Sequence, residues 1–215
     1  MKSYVKLGES HNHNDVGNFI VYVDGKPALI DVGVGTYTAK TFGHNRYDIW
    51  SMQSQWHNTP TINGVQQQDG LSFSAHNVSY QSIGDKHDFK ADISGAYPKE
   101  AHINSWVRTL TFDRTKNTID LSETYSFEKY VVPSKIHFIT ILSPTHVKGS
   151  GEVVFKDANT KLVMKFDSNV LDVVIDEHKT EDQSLTKEWG EKVNRVSLVF
   201  KHKDLNGKHS ILFHL

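Results

Sequence analysis

Eight residues within the first 58 carry side chains suited to chemistry: His11, His13, Asp31, Arg46, Tyr47, Trp56, His57 and Asn58. His11 and His13 flank Asn12 in SHNHND, directly before an apolar run. With 13 histidines among 215 residues, chance supplies roughly one such His-x-His pair, so the pair gains meaning only from its context. Asp31 supplies that context. It stands inside the apolar run ALIDVGVG, where an ionised carboxylate is costly to bury unless it is paired or coordinated. His57, in WHNTP, is a third donor. Two imidazoles and one carboxylate, with a fourth position left to water, suit zinc, which favours nitrogen and accepts carboxylate oxygen at about 2.0 to 2.2 Å. Other first-row divalent ions take the same donors. Spacing alone also admits a plainer arrangement, with His13 and His57 as loop histidines bonded to backbone and Asp31 as the early end of a strand. A cupin site also opens on His-x-His, but it needs a glutamate about five residues after the second histidine; Asn18 stands there, and no second glycine-bounded histidine motif follows.

The remaining residues fit substrate contact or packing. Arg46 offers a planar fork for a carboxylate, and Tyr47 a phenol; both also suit a solvated turn beside a packed Trp50. Trp56 can stack on a sugar ring or pack beneath the loop and fix His57. Asn58 and Asn63 can bond sugar hydroxyls or cap turns in NTPTING, the turn role being the natural one for Asn63, which precedes Gly64. Asn12 and Asn14 are placed to bond the outer nitrogens of ligating imidazoles.

These side chains must be positioned by strands. FIVYV and PALIDV flank Asp24, Gly25 and Lys26, a hairpin signal of the Asp-Gly kind. Closing there brings Asp31 roughly beside Ile20, and His13 reaches it only if residues 14–18 turn the chain back; Asn14, Asp15, Gly17 and Asn18 are suitable turn residues. WVRTLTFD and TIDLSETYSF flank RTKN, and period-two runs continue through HFITILSP, EVVFKD, KLVMKF, VLDVVID, RVSLVFKH and HSILFHL. The pattern predicts an all-β fold: a single-domain antiparallel β-sandwich of many strands over 1–215, with at most one or two short helical turns, one of them near 46–53. Residues 37–77, poor in aliphatics and rich in Gln, Asn, His and aromatics, read as a long excursion over a sheet, where binding residues commonly sit.

Lys plus Arg total 24 against 25 Asp plus Glu, so no global field draws the chain to nucleic acid or to an anionic membrane. There is no cysteine, which excludes disulfides and thiolate metal sites. No apolar run approaches the roughly 20 residues that span a bilayer.

The stretches SHNHNDVGNFIVYVDGKPALIDVGVGTYT and RYDIWSMQSQWHNTPTINGVQQ resemble the signature of the heparinase II/III-like polysaccharide lyases, in their C-terminal β-sandwich domain. WVRTLTFDRTKNTIDLSETY and EWGEKVNRVSLVFK extend the resemblance over nearly the whole chain. It implies that His13, Asp31 and His57 hold a structural zinc ion, and that His11 lies at the catalytic cleft, handling the uronate carboxylate or a proton. Tyr47 is implied as a helper in proton transfer. The implied reaction is β-elimination on an acidic, uronate-containing polysaccharide, which needs donors beside a developing enolate-like charge together with a base and an acid. The family also implies an N-terminal α/α toroid carrying much of the sugar groove. The chain starts almost at HNHND, so it is expected to be the C-terminal part of a larger lyase, inactive alone, and periplasmic or secreted. The type of glycan (heparan, chondroitin or alginate) is left open. A non-catalytic sandwich that binds glycan or docks a partner domain is the alternative.

Overall fold

The computed structural model describes residues 12–215. After a turn at residues 14–18 come strands β1 (Val21–Val23) and β2 (Lys26–Leu29), then four short 3-10 turns within 39–56, and β3 (Pro60–Thr61). The rest is strand-rich: β4 (His76–Ile83), β5 (Lys86–Asp92), β6 (Ile103–Asp113), β7 (Thr118–Phe127), β8 (Lys135–Thr140), β9 (Ser143–His146), β10 (Glu152–Lys156), β11 (Lys161–Lys165) and β12 (Leu171–Lys179). Helix α1 (Gln183–Trp189), β13 (Lys192–Phe200) and β14 (Asn206–His214) complete it.

All pairings are antiparallel. Among the described residues, one sheet has eight strands in the order β4-β5-β6-β7-β14-β11-β10-β9, a second has four, β12-β13-β8-β3, and β1-β2 form a two-stranded third. The two layers close over a core that includes Trp106, Leu121, Phe138, Phe155, Val196 and Phe213. The expected β-sandwich is therefore the observed fold.

The β1–β2 hairpin turns through Asp24 and Gly25, both with positive φ (50° and 76°), the backbone that a two-residue turn needs to match strand twist. The hairpin lies against β8: Thr140 Oγ1 donates to Ala28 O at 2.6 Å, and Ile30 N donates to Ile139 O at 2.9 Å. Asn63 and Gly64 make a second turn of this kind (φ 50° and 81°), closing the Ile62–Val65 bridge, as its position before glycine predicts.

Two features differ from the sequence reading. The hairpin β4–β5 was not expected, because β4 is exposed along its whole length and so shows no in/out alternation. Helix α1 was not expected either. It is only seven residues long; Asp182 caps it by accepting from Ser184 N and Leu185 N, and Trp189 anchors it by donating to Val32 O at 2.9 Å. The helical turn expected near 46–53 is present as lone 3-10 turns at Arg46–Asp48 and Trp50–Met52.

Candidate metal centre

Three elements bring the donors together. His13 precedes a turn in which Asn18 N donates to Asp15 O at 2.8 Å and Gly17 takes a positive φ of 83°, so residues 14–18 do fold the chain back. A Cβ at Gly17 would lie 2.9 Å from Ile93 Cγ2, so the turn is pressed onto the sheet closely enough to require glycine. Asp31 lies two residues past β2, whose last residue is Leu29, and not within a strand as its place in the apolar run suggests, yet it faces the same point as the histidines. His57 ends the last 3-10 turn (Ser54–Trp56).

The donor atoms converge. His13 Nδ1 lies 3.2 Å from His57 Nε2, and His57 Nε2 lies 3.7 Å from Asp31 Oδ1. One ligand atom from each of the three residues falls within 4.8 Å of the others. A tetrahedral ion with bonds near 2.0–2.1 Å sets its ligand atoms about 3.3–3.4 Å apart, so the spacing fits such an ion. The surrounding bonds fit as well. His57 Nδ1 is 3.0 Å from Gln53 O; donating there, it leaves the Nε2 lone pair facing His13 and Asp31. Asn18 Nδ2 donates to Asp31 Oδ2 at 2.9 Å, and Gly33 N donates to Asp31 Oδ1 at 2.8 Å. His57 is fully buried, while Asp31 keeps about a third of its side chain exposed (35%), which leaves a solvent-side approach.

Electrostatics favour neutral imidazole. Burial, and then the neighbouring His57, hold His13 down to about 4 against the opposing pull of Asp31. Burial pushes the nearby Asp15 carboxyl up to about 6, with His57 opposing and the Asp31 charge adding to the rise. Burial, then Asp69, raises the half-buried Tyr47 phenol, so it holds its proton at neutral pH.

The other expected site residues lie elsewhere. His11 lies outside the described residues. Arg46 is buried (5% exposed) and braces backbone: Nε donates to Asn12 O at 2.8 Å and Nη1 to Thr41 O at 2.6 Å. This corrects its reading as a free carboxylate fork. Trp56 is buried (7% exposed), with Trp50 packed edge-on and the Arg195 guanidinium 4.3 Å from its ring centroid; it is packed beneath the loop and offers no open face for a sugar. Asn58 is fully buried, and its amide is spent on backbone: Nδ2 donates to Phe19 O and Ile30 O, and Oδ1 accepts from Ile139 N. It ties the hairpin to β8 and, being fully buried, presents no atom to a sugar hydroxyl. Asn14 is likewise structural, donating to Gln67 O at 3.2 Å; the bonds to the donors come from Gln53, Asn18 and Gly33 instead.

Sequence reasoning missed Arg108 and Glu123, both fully buried. Arg108 Nε donates to Glu123 Oε1 at 2.8 Å and Nη2 makes a shorter contact to the same oxygen, while Trp106 Nε1 donates to Glu123 Oε2 at 2.7 Å. Nη1 donates to Gly17 O at 2.7 Å and Asn58 O at 2.6 Å. A signal existed. Each charge stands on the oily face of its strand, and the two are register partners across β6–β7.

A family model described as "Heparinase II/III-like, C-terminal" matches residues 3–189. The chain belongs to the heparinase II/III-like family. It is the heparinase-like C-terminal domain of a polysaccharide lyase family. Solved structures share its fold. A structure titled "Crystal Structure of Heparinase III" aligns with a TM-score of 0.69 at 14% identity over 96% of this chain and 30% of that one. A heparinase III gene product with methylated lysines gives 0.68 at 14% over 94% of this chain and 29% of that one. The chain thus spans about 30% of the length of these heparinase III chains. No curated protein matches. Among the described residues, no helix is long and apolar enough to cross a membrane.

Proposed function

We propose that His13, Asp31 and His57 hold one divalent ion, zinc by its donor set, and that this centre anchors the polar loop of a lyase acting on uronate-containing acidic polysaccharide by β-elimination. The observation that carries the metal reading is the convergence of three donors, from positions 13, 31 and 57, to within 4.8 Å of one another. When bound, zinc supplies a fixed cross-link between the chain before the hairpin, the end of β2 and the 3-10 excursion. The family supports the reaction class. Elimination requires neutralising the substrate carboxylate, removing the C5 proton and protonating the departing 4-oxygen. In this reading, Tyr47, kept protonated by burial, is the candidate proton donor, and His11 is assigned to the cleft by family resemblance.

The remaining catalytic and groove residues come, in this reading, from an N-terminal α/α toroid of the same parent protein, whose home is the periplasm or the exterior. The chain's span of about 30% of the heparinase III structures supports this division. Two measurements test it. Metal analysis of the purified chain is expected to find about one zinc per chain, lost in Asp31→Ala and His57→Ala; a folded, metal-free wild type that takes up no zinc refutes the centre. The isolated chain is expected to release no 4,5-unsaturated product from acidic glycans by ultraviolet absorbance, and release from it alone refutes the division of the active site.

A further inference from the structure

We infer that the buried Arg108–Glu123 pair positions the two ligand-bearing loops and thereby sets the affinity of the centre for its ion. The inference rests on the metal reading above, and neither residue is itself a ligand. Gly17 O and Asn58 O accept from one and the same nitrogen, Nη1, at 2.7 and 2.6 Å, so the two carbonyls lie within about 5 Å of each other. Gly17 is in the turn that follows His13, and Asn58 directly follows His57. The guanidinium therefore clamps the backbone on which both imidazoles hang, beside the bonds from Asn58 N to Asn18 Oδ1 and from Asn58 Nδ2 to Phe19 O that join the same two segments.

The energetics favour this role over simple stabilisation. A buried ion pair contributes little beyond what packed apolar residues of similar volume would, because desolvation offsets the attraction. Here the pair sits in the sandwich interior, where apolar side chains surround it. What those side chains cannot do is hold two carbonyls that no β-ladder reaches, from segments 91 and 50 residues away in sequence. Glu123 completes the device: with one oxygen on Arg108 and the other on Trp106 Nε1, it fixes the plane of the fork, so Nη1 has one direction in which to point. The donor atoms of the centre are separated by as little as 3.2 Å, so a shift of one loop against the other by a fraction of that distance spoils the ligand set. Loss of outer-shell support of this kind typically weakens metal binding by about 10- to 100-fold.

The test compares zinc affinity, by competition with a chromophoric chelator, for wild type, Arg108→Met/Glu123→Leu and Arg108→Lys, each as the full chain. The double variant removes both charges together and leaves none stranded. It is expected to fold, to unfold metal-free about 10 °C below wild type because Trp106 Nε1 and the Gly17 and Asn58 carbonyls lose their partners, and to bind zinc about 10- to 100-fold more weakly. Arg108→Lys keeps the charge beside Glu123 but lacks the planar fork, and is expected to weaken zinc binding about tenfold. The visible absorption of Co²⁺ loaded in place of zinc reports ligand geometry directly; it is expected to shift or lose intensity in both variants. Zinc binding and Co²⁺ spectra equal to wild type in either folded variant overturn the inference and leave the metal reading standing. Failure of the wild type to bind zinc or cobalt overturns both.

Discussion

Asn58→Ala distinguishes a framework asparagine from a sugar contact. The substitution deletes three hydrogen bonds, to Phe19 O at 2.6 Å, Ile30 O at 3.0 Å and Ile139 N at 2.7 Å. At roughly 1 kcal/mol for each bond, with an additional penalty for the Ile139 N–H left buried without an acceptor, the expected loss of stability is about 4 kcal/mol. In a chain of this size each kcal/mol moves the melting midpoint by about 2–4 °C, so a fall of about 10 °C follows. Urea denaturation monitored by tryptophan fluorescence measures the loss, and the urea dependence of the unfolding free energy is expected to stay unchanged because the surface exposed on unfolding is the same. Asn58→Asp is expected to be at least as damaging at neutral pH. Its carboxylate can still accept from Ile139 N, but it faces the Phe19 and Ile30 carbonyls without a proton to donate. A variant within about 1 kcal/mol of wild type that had lost affinity for acidic oligosaccharide would refute this reasoning and restore Asn58 to the binding surface.

Gly17→Ala is expected to cost about 1–3 kcal/mol, since it combines a positive φ with a contact at 2.9 Å to Ile93 Cγ2; thermal unfolding checks this, and a neutral result would show that the turn after His13 is free to shift. Asp31→Asn is expected to lower zinc content sharply with only a small change in apo stability, because Asp31 is partly exposed; inductively coupled plasma analysis and calorimetry read the two separately. Burial, with Arg195 and Lys135 adding, holds His137 down to about 3, so the folded chain keeps it neutral while the unfolded chain protonates below about 6.5. Its contribution is whole above about 6.5 and is lost as pH falls towards 3, amounting to about 3 kcal/mol by pH 4. His209, held by burial to about 4, acts in the same direction. Unfolding free energies measured from pH 7 to pH 4 are expected to fall less steeply in His137→Gln, and an unchanged slope contradicts the assignment.

The sheet and the cluster of His13, Asp31 and His57 were legible in the sequence for different reasons. TIDLSETYSF alternates because β7 has one face on the core, and its bounds match the strand residue for residue. HNVSYQSI carries no such mark, because β4 is an edge strand exposed along its length. Asp31 was conspicuous because a carboxylate in an apolar run demands a partner, even though it proves to lie two residues past the strand. Arg46 and Asn58 were misread because their true partners are backbone carbonyls and amides, between 5 and 81 residues away, and local composition says nothing of these. Arg108 and Glu123 were readable from register. The Asp113–Thr118 pair that closes β6–β7 places residue 108 opposite 123, so two opposite charges on one oily face had to meet.

The final two strands lie within both layers: β14 between β7 and β11, and β13 between β12 and β8. His13, Asp31 and His57 therefore all precede these two strands in the chain, and neither sheet is complete until residues 192–214 have been added. Strand β8, which steadies Asn58 beside His57, gains its β13 neighbour only then. In the proposed reading, the rigid frame that would hold the ion is complete only once β13 and β14 have slotted between strands made before them.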